Sequence, residues 1–133
     1  MPTKESVIDD YMTRALVTLS PGDDIHVAMQ MLVDNRISGA PVLDANERLV
    51  GILTKKDCLK VVFQSSYHQD WGGRVEDFMC TPVETLEAGM NIISAAEYFS
   101  KSSYRRFPVL CEGRLVGQIS RHDILRALVE LWG

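Results

Sequence analysis

Two places in the chain set a hydroxyl and a carboxylate three residues apart directly after an apolar run: Thr54-Lys55-Lys56-Asp57 follows Leu49, Val50, Ile52 and Leu53, and Ser120-Arg121-His122-Asp123 follows Leu115, Val116 and Ile119. Apolar residues at helical spacing come after each. This is helix-start chemistry: the hydroxyl caps free amides of the first turn, and the acid favours the positive end of the helix dipole. Thr54 and Ser120 are expected as N-caps, with Asp57 and Asp123 as first-turn carboxylates. That local role accounts for either copy taken alone. Elsewhere the chemistry-bearing residues are scattered. Cys58, Cys80 and Cys111 lie 22 and 31 residues apart, which fits neither a disulfide framework nor a Cys-x-x-Cys pair, so they read as reduced thiols filling the core. His26, His68 and His122 stand at ligand spacing from no cysteine or carboxylate pair, so no metal site is expected. There is no phosphate-binding Gly-x-x-x-x-Gly-Lys-Thr/Ser loop, no nucleophile and base at usable spacing, and no paired carboxylates for a metal. The chain is not expected to be an enzyme, and no catalytic residue is assigned.

The elements that must position these motifs repeat as well. Met12 matches Met79, Thr18 matches Thr85, Ile25 matches Ile92 and Pro41 matches Pro108, each pair 67 residues apart. After the following turn the offset falls to 66, pairing Gly51 with Gly117 and Asp57 with Asp123, so one residue has been lost from a hairpin loop. The period is too long for a solenoid and indicates a tandem duplication of a mixed α/β unit of about sixty residues. In the first copy a short strand is expected near Leu16-Val17-Thr18, and Ser20-Pro21-Gly22-Asp23-Asp24 supplies turn and helix-start residues. Ile25, Ala28, Met29, Leu32 and Val33 then form an apolar stripe at helical spacing. Strands are expected over residues 37–43 and 48–53 around an Asp44-Ala45-Asn46-Glu47 turn, followed by a helix carrying Leu59, Val62 and Phe63. The order is β-α-β-β-α. The second copy repeats it, with strands near 83–86, 107–110 and 114–119, a tight Glu112-Gly113 turn and a helix holding Ile92, Ala95, Ala96 and Phe99. Its last helix holds Ile124, Leu125, Leu128, Val129 and Trp132 and is expected to be docked. The fold class is α+β, with copies at 1–63 and 75–133 and a polar, breaker-rich connector at 64–74. Tyr67 and Trp71 read as aromatic residues closing that connector onto a core.

A chain of 133 residues buries a core without disulfides. Its net charge of −4 argues against general affinity for nucleic acid or an anionic membrane, both of which favour a basic surface. The polar opening Met1-Pro2-Thr3-Lys4-Glu5-Ser6 leads into no apolar signal region, and no apolar run approaches a bilayer's thickness. A cytoplasmic location is expected.

Taken together, Ile37-Ser38-Gly39-Ala40-Pro41-Val42 and Tyr104-Arg105-Arg106-Phe107-Pro108-Val109, each followed after a hairpin by the Thr/Ser-x-x-Asp motif, resemble the cystathionine-β-synthase (CBS) domain, here as a tandem pair or Bateman module. The resemblance covers roughly residues 5–131, as in stand-alone pairs of the bacterial type. It implies two copies packed about a pseudo-two-fold axis with two related clefts, and an adenosyl ligand: AMP, ADP or ATP first, with S-adenosylmethionine, NAD-type or cyclic dinucleotides also known in the family. Carried over by position, one cleft would hold Ile52, Thr54 and Asp57 with Thr85, Arg105 and Arg106. The other would hold Ser120, His122 and Asp123 with Thr18, Ile37, Ser38 and Gly39. In those roles the aspartates would accept from ribose hydroxyls through charge-assisted bonds and the helix-start hydroxyls would meet a phosphate. The segments before the prolines would face the adenine, and Arg105 and Arg106 would grip phosphate oxygens. The cleft with Asp57 is thus expected to prefer the phosphorylated ligand and the one with Asp123 to bind more weakly. No cofactor is required. The implied function is a regulatory sensor, homodimeric through its helices, acting on an unidentified protein partner; the alternative is a structural or adaptor homodimer that senses no ligand.

Overall fold

Asp24 fixes where the first long helix begins. Its carboxylate accepts from the amides of His26 and Val27, and α1 (Ile25–Asp34) follows with Ile25, Ala28 and Leu32 turned inward. Asn91 does the same for α4 (Ile92–Ser100), accepting from Ile93 and Ser94 and burying Ile92, Ala95 and Phe99. The computed structural model describes residues 5–68 and 72–133; Trp71 lies outside them. The chain is mixed α+β, and its elements cluster into two compact units, a central one of Val17–Val83 and a terminal one of Met1–Leu16 with Glu84–Gly133. The sequence repeat divides in the connector, whereas the units divide ahead of each copy's first strand. The reason is local: residues 5–16 pack with the second copy's sheet, and residues 75–83 with the first's.

In the central unit β1 (Gly39–Leu43) pairs antiparallel with β2 (Leu49–Thr54). Asp44 closes the hairpin by accepting from the amides of Asn46 and Arg48. Leu19 bridges Val42 in parallel on one side of the hairpin, and Cys80 bridges Ile52 on the other. Two helices complete the unit, α2 (Lys55–His68) and the short α3 (Val75–Phe78). α2 extends past residue 64, where the connector was expected, and turns Cys58 and Val61 into the core. Leu59, Val62 and Phe63, the residues that suggested the helix, are exposed.

The terminal unit uses the same plan. β3 (Leu86–Glu87) lies parallel to β4 (Arg106–Cys111), which pairs antiparallel with β5 (Arg114–Ser120) through a turn in which Glu112 and Gly113 both have positive φ. Thr13 bridges Gln118 on the outer edge of β5. α4 and α5 (Arg121–Trp132) cover the sheet, with Phe107, Val109, Ile119, Ile124 and Ala127 in the core. α5 is docked on one face only. Ile124 and Ala127 are buried, but Leu125, Val129 and Trp132 are 61%, 64% and 86% exposed, because the helix carries a second apolar stripe that the unit's own sheet does not reach. The first strands start later than expected, at Leu19 and Leu86.

Candidate functional site

β2 runs straight into α2, so Thr54 is the last strand residue and its side chain meets the first helical turn. The expected capping box forms. The Thr54 hydroxyl accepts from the Asp57 amide at 3.2 Å, and Asp57 Oδ2 accepts from the Thr54 amide at 2.9 Å and the Thr54 hydroxyl at 2.8 Å. The other oxygen is occupied too: Oδ1 accepts from Cys80 Sγ and from Lys60 Nζ, both at 3.2 Å. Asp57 is only 3% exposed. Burial pushes its carboxyl upward, but hydrogen bonds from the Thr54 amide and hydroxyl, the Cys80 thiol and Lys60 outweigh burial and hold it below the usual carboxylate value. The Cys80 thiol moves up, through burial first and then through its bond to Asp57 and that residue's charge. Of the three cysteines expected in the core, Cys58 is buried, whereas Cys80 and Cys111 are exposed; Cys80 lies on the edge of β2 and Cys111 at the hairpin end of β4.

The second copy starts α5 in the same way. Ser120 accepts from the Asp123 amide at 3.2 Å, while Asp123 Oδ2 accepts from the Ser120 amide and hydroxyl, each at 2.9 Å. Beyond that the copies differ. Arg126 occupies the place of Lys60, but its guanidinium donates to the Tyr11 carbonyl at 3.1 Å and lies over the Tyr11 ring, 5.1 Å from its centroid. It stays 3.6 Å from Asp123 Oδ1, and the Asp123 side chain is 15% exposed. Tyr11 is held in turn by its hydroxyl, which donates to Glu130 at 2.7 Å. That bond, with burial, pushes the Tyr11 hydroxyl above its ordinary value.

Strand pairing decides what stands beside each motif within its unit. In the central unit Gly39 pairs with Thr54, and the Lys55 amide donates to the Ser38 carbonyl at 2.9 Å. Ile37 packs on that unit's core, Ile52 sits in the bridge to Cys80, and Thr18 is exposed just ahead of the Leu19 bridge. In the terminal unit Arg106 pairs with Ser120, and the Arg121 amide donates to the Arg105 carbonyl at 2.9 Å. His122 is exposed in the first turn of α5, and Thr85 immediately precedes β3. Arg105 and Arg106 therefore share a unit with Asp123, and among the described residues neither guanidinium has an ion-pair or hydrogen-bond partner.

Cys80, Lys60, Thr13, Tyr11 and Arg126 carry the difference between the copies; the sequence marks Cys80 only as a core thiol and the other four not at all. The repeat offsets contain a signal for them, since Cys80 aligns with Thr13 and Lys60 with Arg126. No group of three or more metal-ligating side chains occurs among the described residues. An open depression of about 540 Å³ in the central unit, lined by Gly22, Asp24, Gly73, Arg74, Glu76 and Asp77, contains none of the motif residues.

The CBS domain family model matches residues 8–64 and 75–130. The crystal structure of CBSX2 from Arabidopsis thaliana in complex with AMP superposes with a TM-score of 0.82 at 26% identity, covering 96% of this chain and 98% of that one. The CBS domain pair of protein MJ0100, solved with 5-methylthioadenosine and S-adenosyl-L-methionine, gives a TM-score of 0.77 at 25% identity over 94% of this chain and 97% of that one. MJ1225 of Methanocaldococcus jannaschii is 25% identical over 94% of this chain; the chain spans 44% of MJ1225 and 64% of CBSX1 from Arabidopsis thaliana.

Proposed function

The chain belongs to the CBS domain family, as two domains in tandem, and from that premise we propose that it is a regulatory module that binds an adenine nucleotide and passes its occupancy to a partner protein. The observation that carries this reading is the start of α5. There Asp123 keeps Oδ1 free of any hydrogen bond among the described residues, beside a helix N-terminus and two unpaired arginines. A sugar diol would donate to Asp123, a phosphate would accept from the Ser120 region and the first-turn amides, and Arg105 or Arg106 would meet the remaining phosphate oxygens. AMP, ADP or ATP fits this set. The AMP bound in CBSX2 and the two adenosyl ligands bound in MJ0100 support the ligand class.

Binding regulates a partner only when the ligand favours one arrangement over another, at about 1.4 kcal/mol for each tenfold shift. The exposed face of α5 supports a homodimer formed through helices, and no described helix is long and apolar enough to cross a membrane, in keeping with a cytoplasmic role. The adaptor alternative draws on Asp57, whose carboxylate is wholly engaged by its own unit. A thermal-shift titration with AMP, ADP and ATP separates the two. The sensor raises the melting temperature with at least one of them and loses the rise in Asp123→Asn; a flat response to all three leaves the adaptor.

A further inference from the structure

An ionised carboxylate offers about four acceptor positions, two on each oxygen. In Asp57 four donors fill them: the Thr54 amide and hydroxyl on Oδ2, Cys80 Sγ and Lys60 Nζ on Oδ1. In Asp123 the Ser120 amide and hydroxyl fill Oδ2, and Oδ1 faces only the Arg126 guanidinium at 3.6 Å. A vicinal diol donates two hydrogen bonds, which is the number Oδ1 of Asp123 still accepts.

The difference comes from the chain crossing each sheet edge. Cys80 is pinned to β2 by a pair of backbone bonds with Ile52, at 2.8 and 3.1 Å, and its thiol reaches Asp57. Thr13 is pinned to Gln118 in the same way, at 2.9 Å in both directions, yet its hydroxyl makes no bond to Asp123 among the described residues. Lys60 bonds Asp57, whereas Arg126 is drawn off by the Tyr11 carbonyl and ring.

Resting on the reading of the chain as adenine-nucleotide-binding, we infer that the two motif copies are not equivalent: Cys80 closes Asp57 to a ligand's sugar, Asp123 alone of the two receives it, and the protein takes up one nucleotide per chain. Position 80 is thus a specificity-determining residue, and Asp57 serves as a structural clasp between α2 and the edge of β2.

Isothermal titration with AMP on the full chain tests this. Wild type is expected to bind one AMP per chain, Asp57→Asn to keep that site, Asp123→Asn to lose it, and Cys80→Ala, in which only the exposed Lys60 side chain still covers Oδ1 and can swing aside, to gain a second. Two AMP per chain in wild type, retention of the single site in Asp123→Asn, or an unchanged count in Cys80→Ala overturns the inference while leaving the adenine-nucleotide reading standing. No uptake of AMP, ADP or ATP by wild type overturns that reading and the inference with it. Should Asp57→Asn not fold, the wild-type count and the other two variants still decide.

Discussion

The buried Asp57 and the more open Asp123 make the same capping box, so replacing each by alanine isolates what burial and the extra donors contribute. Removing Asp123 frees the Ser120 amide and hydroxyl next to solvent, the loss of a cap worth about 1 kcal/mol. Removing Asp57, itself 3% exposed, also leaves the Thr54 amide without its acceptor at a part-buried site, while the thiol of the exposed Cys80 can turn to solvent. An unsatisfied part-buried donor costs about 1–3 kcal/mol, so the total for Asp57→Ala is about 2–4 kcal/mol. The lysine adds little, because its own side chain is 55% exposed and screened by solvent. The expected gap between the variants is about 1–2 kcal/mol, which at a urea slope of about 2 kcal/mol per molar separates their midpoints by about 0.5–1 M. Ligand-free protein followed by circular dichroism in urea measures it. Equal midpoints, or a lower one for Asp123→Ala, would refute the claim that Asp57 is a clasp.

Two further outcomes follow from close contacts and charge. A Cβ at Gly117 would stand 2.9 Å from the Thr13 carbonyl and 2.7 Å from Met12 Sδ, whereas at Gly51 the tight neighbour is the flexible Met79 side chain and the backbone lies at 3.2 Å. Gly117→Ala should therefore cost about 1–3 kcal/mol in urea melts and exceed Gly51→Ala, whose side-chain neighbour can move aside. The Asp57 carboxyl titrates below its ordinary 3.8 in the folded chain, so its charged form contributes stability that is complete above that value and drains as pH falls through the folded one. As pH falls below about 4 the stability of wild type should drop more steeply than that of Asp57→Asn, and parallel curves there would contradict the assignment.

Much of the molecule can be read locally. The caps at Asp24 and Asn91, the Glu112-Gly113 turn and both capping boxes follow from residues within four positions of one another, and each is where its side chain or backbone preference puts it. Misreadings arise where a helix offers two apolar stripes. In α2 the sequence pointed to Leu59, Val62 and Phe63, but the sheet takes Cys58 and Val61, since β2 feeds the helix with Thr54 already oriented by its strand. The site's asymmetry was illegible for another reason. Cys80 lies 23 residues from Asp57 and Tyr11 lies 115 from Arg126, so neither partner can be found from spacing; only the sheet edges, where Cys80 and Thr13 bridge their strands, bring them together. The expectation that the cleft with Asp57 prefers the phosphorylated ligand rests on the resemblance, which sets Arg105 and Arg106 against Asp57, and on their charge; the donors on the second oxygen of Asp57 leave no trace in that pattern.

α5 links both proposed activities of the terminal unit. Its first turn carries Asp123, and Leu125, Val129 and Trp132 line its exposed face. Arg121 and Trp132 are separated by about 17 Å along the axis at 1.5 Å per residue, beyond the ~8 Å screening length of physiological salt. A nucleotide charge at the helix start therefore cannot act directly on a partner packed near Trp132; any influence must pass through displacement of the helix as a rigid body, or through its last turns. Reciprocity then fixes the size of the effect, because the factor by which AMP changes self-association must equal the factor by which self-association changes AMP affinity. Sedimentation equilibrium with and without AMP gives the first factor and titration at two protein concentrations gives the second. Agreement at a value other than one identifies α5 as the transmitting element when Trp132→Asp abolishes association and shifts AMP affinity by that same factor to the value of the monomer, and a factor of one makes the apolar face and the nucleotide site independent properties of one helix.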